Sequence, residues 1–279
     1  VRGEGKVLLP GFVNTHHHLY QSLFRCVPGA ADAELFKWLV FLYERWKGID
    51  EEAARVSAAV ASSELLLSGA TTTADHCYLL PRGGGAILDA DIEGARLAGI
   101  RFHPCRGSMS LSQKDGGLPP DSVVQTEDEI LADCRRVVER YHDPAPFAML
   151  RIALAPCSPF SVSLDLMRET LSLAEEAGVL LHTHLAETQD EETYCVRRFG
   201  RRPVDLMEDL GWLRDDVWFA HLVVLSDADI AKLGRAKVPV YKRTAPNGSA
   251  CYMVSNYSTG KRRFDSYADE AEAIEAATT

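Results

Sequence analysis

The sequence predicts an α/β fold in which parallel strands and helices alternate to form a barrel. First, apolar strand-like segments alternate with helical segments at a spacing of roughly 30–40 residues, as βαβ units require. Second, α/β barrels commonly reach 279 residues as one unit. Third, histidines fall at the ends of several predicted strands, where barrels place their functional groups. An open doubly wound sheet is the alternative, but no Gly-x-Gly-x-x-Gly turn follows the first strand, and there is no P-loop motif.

The first predicted strand leads into three consecutive histidines. Val7–Leu9 and Phe12–Val13 are apolar and partly β-branched, which favours a buried extended segment. Successive side chains of a strand alternate between its faces, so His16 and His18 should share a face and His17 should point away. Imidazole nitrogen binds zinc well, so this pair could hold a metal ion. A polar loop is the other interpretation of the same residues.

The remaining segments follow in the order that βαβ units require. Glycines close three of the predicted helices, because a residue beyond a helix end often adopts a positive φ. The segment 33–46 is predicted as a helix or lid whose rings pack mainly in the core, with one or two left to stack on a planar ligand. The other predicted helices are 51–68, 86–98, 127–141, 163–177 and 204–210; the predicted strands are 71–75, 100–104, 150–155, 179–184 and 217–225; residues 107–125 are a long loop.

A second histidine cluster repeats the strand pattern. His182 and His184 should share a face, and Glu187 lies just beyond the strand end. A histidine ligand beside a glutamate that does not bind the metal is the arrangement that metal-assisted hydrolysis needs. A buried histidine pair beside a solvated glutamate is the alternative. His221, at the end of the sixth strand, is a candidate ligand, acid/base group or polar cap.

Composition narrows the class of partner. A net charge of −10 disfavours binding to nucleic acid or to an anionic membrane, and no apolar run approaches the ~20 residues of a membrane span. The seven cysteines are scattered without a Cys-x-x-Cys pair, which is typical of a reduced, cytoplasmic protein. A small-molecule ligand is compatible with both observations. His76 and His103, which have no partner in the sequence pattern, are interpreted as structural.

Three motifs carry a resemblance to a known family. They are Pro10-Gly11-Phe12-Val13-Asn14-Thr15-His16-His17-His18, His184-Leu185-Ala186-Glu187 and Phe219-Ala220-His221. Together they resemble the amidohydrolase superfamily, in its ring-deaminase and triazine-hydrolase branch, and within it the 8-oxoguanine deaminases most. The resemblance covers roughly residues 7–236.

The resemblance implies a fold, a metal and a reaction. The fold is a (β/α)8 TIM-type barrel, and the cofactor is one zinc per chain, with iron as the alternative. His16, His18 and His184 would be the ligands, Glu187 would move the proton, and His221 would hold the water or polarise the substrate. Gln21 would hydrogen-bond the edge of the ring. The implied reaction turns 8-oxoguanine into urate and ammonia; isoxanthopterin, guanine, cytosine and triazines are alternative substrates, and a homo-oligomer is compatible with the family.

The chain also departs from this pattern near its C-terminal end. The family has a metal-binding aspartate at the end of the eighth strand; this chain shows no such aspartate, and Asn247 is only a weak candidate for its position. Residues 237–266 resemble the family poorly, and 272–278 resemble the helix that follows the eighth strand. We therefore predict a barrel at 10–279 that is incomplete near strands seven and eight, and residues 1–9 as the remnant of a flanking β-sandwich. A catalytically inactive fragment is the rival hypothesis.

Overall fold

The computed structural model describes residues 4–81, 85–234, 240–244, 250–256, 263–269, 271–273 and 276. Its contacts divide the chain into two units. The first comprises Val1–Trp212 and Asp216–Val224, and the second comprises Leu213–Asp215 and Leu225–Thr279. All candidate site residues except Asn247 therefore belong to the first unit.

The first unit is built on a six-stranded parallel sheet whose strands follow one another in chain order. Buried runs such as Ala153-Leu154-Ala155 are apolar throughout, as expected for parallel strands covered on both faces. The pairing of β5 with β6 places His184 opposite Ala220 and Leu185 opposite His221. The strands are β1 (Phe12–Asn14), β2 (Ala70–Cys77), β3 (Arg101–Ser108), β4 (Ala153–Pro156), β5 (Leu180–Leu185) and β6 (Val217–His221).

Within the described residues of the first unit, seven α-helices connect these strands. Side-chain caps start several of them; for example, the Asp50 carboxylate accepts the Ala53 N–H, and Thr126 and Glu129 form a capping box. The predicted stops at Gly69, Gly99 and Gly178 are confirmed, because all three glycines adopt a positive φ. The helices are α1 (Leu35–Trp46), α2 (Glu51–Leu67), α3 (Gly85–Ala98), α4 (Glu127–Tyr141), α5 (Leu164–Ala177), α6 (Gln189–Phe199) and α7 (Pro203–Asp209).

Close packing holds helices and sheet together. A Cβ at Gly94 of α3 would lie 2.2 Å from the Arg55 carbonyl oxygen of α2, so only glycine allows these two helices to approach. Small buried residues from β2, β3 and β4 form a core cluster against which Trp218 packs: Ala74, Cys105, Ala153 and Ala155.

The sheet curls so that its first and last strands approach each other. The Trp218 indole N–H of β6 donates to the carbonyl oxygen of Thr15, which follows β1, at 3.0 Å. One residue on, the His16 ring lies 2.8 Å from the His182 ring of β5. The predicted fold class is therefore confirmed as an incomplete α/β barrel of six parallel strands.

Several predicted boundaries were wrong. The first strand is only three residues long, and Val7, Leu8 and Leu9 are 84%, 97% and 62% exposed rather than buried. An apolar composition indicates where burial is favourable, but the described chain leaves this segment in solvent. The sixth strand ends at His221 instead of residue 225, because His221 and Leu222 both have a positive φ. The third strand continues to Ser108, and the fourth begins at Ala153. The sequence analysis also missed α6.

The second unit contains α8 (Asp227–Leu233), capped by Ser226, and a three-stranded antiparallel sheet. Its strands are β7 (Val240–Thr244), β8 (Ala250–Asn256) and β9 (Arg263–Tyr267). This antiparallel arrangement departs from a β/α repeat, in the region where the resemblance was expected to fade. Asn247 lies outside the described residues, and of 272–278 only 272, 273 and 276 are described, in helical backbone. Among the described helices, none has the length and apolarity needed to cross a membrane.

Candidate metal and active site

The three histidines predicted as metal ligands converge in the first unit. His16 and His18 come directly after β1, and His184 lies on β5. One ring nitrogen from each lies within 4.8 Å of the others. The centroid of the His16 ring lies 4.8 Å from that of His18 and 4.9 Å from that of His184. The shared face predicted for His16 and His18 is therefore present, although the strand itself ends at Asn14.

Hydrogen bonds to backbone carbonyls fix the protons on two of these rings. His18 Nδ1 lies 2.8 Å from the His76 carbonyl oxygen, and His184 Nδ1 lies 2.6 Å from the Cys157 carbonyl oxygen. Because a carbonyl oxygen only accepts, each Nδ1 must carry the proton and donate it. Each neutral ring then has a bare Nε2. These two Nε2 atoms face each other at 3.1 Å.

Two lone pairs at this distance repel unless a cation or a proton lies between them. Burial lowers the pKa of both His18 and His184 well below the usual value, with the neighbouring histidines adding to the effect, so protonation is disfavoured. Two nitrogens bound to one zinc at ~2.0–2.1 Å with tetrahedral geometry lie roughly 3.3 Å apart. The observed spacing therefore fits a divalent metal ion.

Two further histidines surround this group. His76, which was interpreted as structural, is fully buried, and its ring stacks on His184 at 4.4 Å. His182 Nε2 lies 2.8 Å from His16 Nδ1. Burial, and then the charge that His221 would carry, lower the pKa of His16 to about 4; burial lowers that of His182 to about 3. His103 packs on the Trp218 ring at 5.6 Å, and the described contacts do not join it to the three converging rings.

Glu187 and His221 lie together beside the histidines. His221 Nε2 is 3.4 Å from Glu187 Oε2, and the two side chains are 28% and 23% exposed. Burial raises the pKa of Glu187 to about 7 and lowers the pKa of His221. The His221 ring stacks on His184 with centroids 5.3 Å apart. A carboxyl group with a pKa near neutrality can both accept and release a proton at physiological pH.

The sequence analysis missed Glu191, which supports the turn carrying Glu187. The two carboxylate oxygens of Glu191 accept the backbone N–H groups of Ala186 and Glu187 at 3.0 and 2.7 Å. Ala186 has a φ of +52°, so this turn is strained. Glu191 is fully buried, and burial raises its pKa to about 7. Its sequence signal is an acidic residue in the first turn of α6, which is common at helix starts and indicates no particular function.

A cavity of about 260 Å³ opens onto these groups. Gln21, the predicted substrate-binding residue, lines it from a short 3-10 turn that follows His18. Aromatic side chains form much of its wall, as is typical of sites for planar ligands: Trp38, Tyr43, Tyr78 and Phe160. A larger, more open cleft of about 730 Å³ shares His18, Gln21 and Trp38 with this cavity. The predicted site residues of the first unit thus surround one chamber.

Comparison with known proteins places this chain in a family. The model of the amidohydrolase family matches residues 7–265. The chain belongs to the amidohydrolase family.

Three individual relatives match most of this chain. The chain is 47% identical over 230 residues to 8-oxoguanine deaminase of Pseudomonas aeruginosa PAO1, covering 82% of this chain and 51% of the relative. It is 39% identical to hydroxydechloroatrazine ethylaminohydrolase of Pseudomonas sp. strain ADP, covering 88% and 51%. The structure of atrazine chlorohydrolase from Arthrobacter aurescens TC1 complexed with zinc superposes with a TM-score of 0.78 at 34% identity, covering 82% and 52%. The chain therefore spans about half the length of these relatives.

Proposed function

We propose that this chain carries the active site of a metal-dependent aminohydrolase that deaminates an amino-substituted, purine-like ring. The observation that carries the proposal is the 3.1 Å approach of His18 Nε2 to His184 Nε2 beside Glu187 and His221, where the Nδ1 of each ring donates to a backbone carbonyl and so leaves its Nε2 bare. A structural histidine cluster would instead place a proton between these two nitrogens.

His16, His18 and His184 would hold one zinc ion, with iron(II) as the alternative. When bound, the ion supplies Lewis acidity that makes a water molecule nucleophilic near neutral pH. The donor set of three neutral imidazoles suits such an ion, and the solved zinc complex of atrazine chlorohydrolase supports the choice of metal.

Glu187 would transfer the proton. The water oxygen bonds to the ring carbon that carries the amino group, and the Glu187 carboxylate accepts a proton from that water. Glu187 then passes the proton to the departing nitrogen, and the C–N bond breaks to release ammonia. A pKa of about 7 suits both halves of this transfer. His221, 3.4 Å from Glu187, would orient the water or polarise the ring, and Gln21 would hydrogen-bond the ring edge.

The substrate we propose is 8-oxoguanine, because 8-oxoguanine deaminase of Pseudomonas aeruginosa is 47% identical. The cavity of about 260 Å³ lies just below the ~300–1,000 Å³ range typical of small-molecule sites, which favours a compact ring. A triazine ring is the second candidate, supported by the relative that is 39% identical.

Ammonia release from 8-oxoguanine, guanine, isoxanthopterin, cytosine and an aminotriazine tests the proposal. The zinc-loaded chain should turn over 8-oxoguanine fastest, and chelation should abolish the reaction. Glu187→Gln, which keeps the shape of the side chain but cannot accept the proton, should reduce kcat ~10²–10⁴-fold. Release of ammonia from none of the rings by zinc-loaded protein would overturn the proposed activity.

A further inference from the structure

His182 joins His16 to the backbone of β6 through two hydrogen bonds, which we call the relay. His182 Nδ1 lies 2.8 Å from the Trp218 carbonyl oxygen, and its Nε2 lies 2.8 Å from His16 Nδ1. The Trp218 indole also stacks on the His182 ring, with centroids 4.3 Å apart and planes inclined by 10°. His182 itself is fully buried. Its ring is therefore held on one face and at both nitrogens.

The relay determines where the His16 proton lies. The Trp218 carbonyl oxygen can only accept, so the proton of neutral His182 is on Nδ1. Its Nε2 is then an acceptor, and the 2.8 Å contact requires His16 to donate from Nδ1. His16 Nε2 is left bare, in the same state as Nε2 of His18 and of His184.

We propose that His182 is a positioning residue: it sets the tautomer and ring orientation of His16 so that His16 can act as the third metal ligand. This inference rests on the proposed metal site. Groups that orient metal-binding histidines through the second ring nitrogen typically contribute 10–100-fold to metal affinity. The sequence motif alone gives His182 and His184 the same face of β5, but the hydrogen bonds give them different roles.

His182 has one competing role, as a ligand of a second ion. Nitrogens of His16, His76 and His182 also lie within 4.8 Å of one another. The short contact between His16 and His182 argues for a hydrogen bond, because 2.8 Å is an ordinary N–H···N distance and is shorter than the roughly 3.3 Å expected for two nitrogens on one tetrahedral zinc. The number of ions bound per chain separates the two roles.

Zinc affinity, measured by competition with a chromophoric chelator, tests the proposal in the full chain. His182→Leu removes both hydrogen bonds and should weaken zinc binding 10–100-fold while the stoichiometry stays at one ion per chain. His182→Gln should restore most of the affinity, because its amide oxygen can accept from His16 and its NH₂ can donate to Trp218. The matched control is His103→Leu, since His103 also packs on Trp218 but does not contact His16; its affinity should equal that of the wild type.

A second measurement needs no variant to fold. Ring ¹⁵N spectra of the metal-free, histidine-labelled wild type should show His16 protonated on Nδ1; a proton on Nε2 overturns the proposal. The proposal is also overturned if the wild type and His182→Leu bind zinc with equal affinity. It is likewise overturned if the wild-type chain binds two ions and the variant binds only one. Zinc binding without deamination would refute only the proposed function. A chain that binds no zinc would refute the metal site, while the His16 tautomer still tests the relay.

Discussion

Replacing Glu187 by Gln should stabilise the metal-free fold at alkaline pH while it removes activity. Burial raises the pKa of Glu187 from 4.5 to about 7. The folded chain therefore binds more protons than the unfolded chain between about pH 4.5 and 7, and this group reduces stability as pH rises through that window. A shift of this size corresponds to ~3 kcal/mol of unfavourable free energy for the ionised side chain above pH 7. Gln has the same shape and no charge to bury.

Thermal unfolding in chelator at pH 8 and pH 4 measures the effect. The Glu187→Gln variant should melt higher than the wild type at pH 8, by up to roughly 6–12 °C for a ~3 kcal/mol gain, and at nearly the same temperature at pH 4. The matched control is Glu139→Gln on α4, where the side chain is exposed and the change should fall within about ±0.5 kcal/mol at both pH values. If Glu187→Gln gave no extra stability at pH 8, or gave the same gain at pH 4, the burial argument for Glu187 would be refuted.

Two further substitutions test the groups that support the site. Glu191→Ala leaves the N–H groups of Ala186 and Glu187 without their acceptor, and should destabilise the fold by about 1–3 kcal/mol per buried amide and lower kcat; an unchanged urea midpoint would contradict this role. Asp91→Asn tests the buried pair of acids Asp75 and Asp91, in which Asp75 accepts the backbone N–H of Leu19 directly after His18. Burial raises the pKa of Asp75 to about 7 and that of Asp91 well above its usual value. Because burial raises the pKa of Asp91, the folded wild type keeps a proton on this group above about pH 4 that the unfolded chain loses, so wild-type stability should fall relative to the variant as pH rises from there, whereas parallel pH curves would argue against the coupling.

The fold could be predicted largely because strand and helix periods are local. Helix stops at Gly69, Gly99 and Gly178 needed only the preference of glycine for positive φ. The end of β6 could not be predicted, because a positive φ at His221 is imposed by its tertiary surroundings and not by its residue type. The exposure of Val7–Leu9 was also beyond the sequence, since apolar composition does not identify what covers a segment.

The candidate site likewise contains residues that the sequence could predict and residues that it could not. The His-x-His spacing was enough to place His16 beside His18, although the strand ends at Asn14, and the position of β5 was enough to place His184 and Glu187 near one strand end. The role of His182 depends on the Trp218 carbonyl oxygen, and that of Glu191 on two backbone amides. Almost every residue type carries the same backbone N–H and carbonyl groups, so the sequence does not indicate which of them make these contacts. Only the folded structure shows them.

The most direct test of the metal site is X-ray absorption by the zinc-loaded chain at one zinc per protein. We expect a shell that contains three imidazole nitrogens at ~2.0–2.1 Å, and loss of stoichiometric zinc in His184→Ala. Zinc that fails to bind at one equivalent, or a shell dominated by sulfur at ~2.3 Å, would contradict the convergence of His16, His18 and His184 on a single ion.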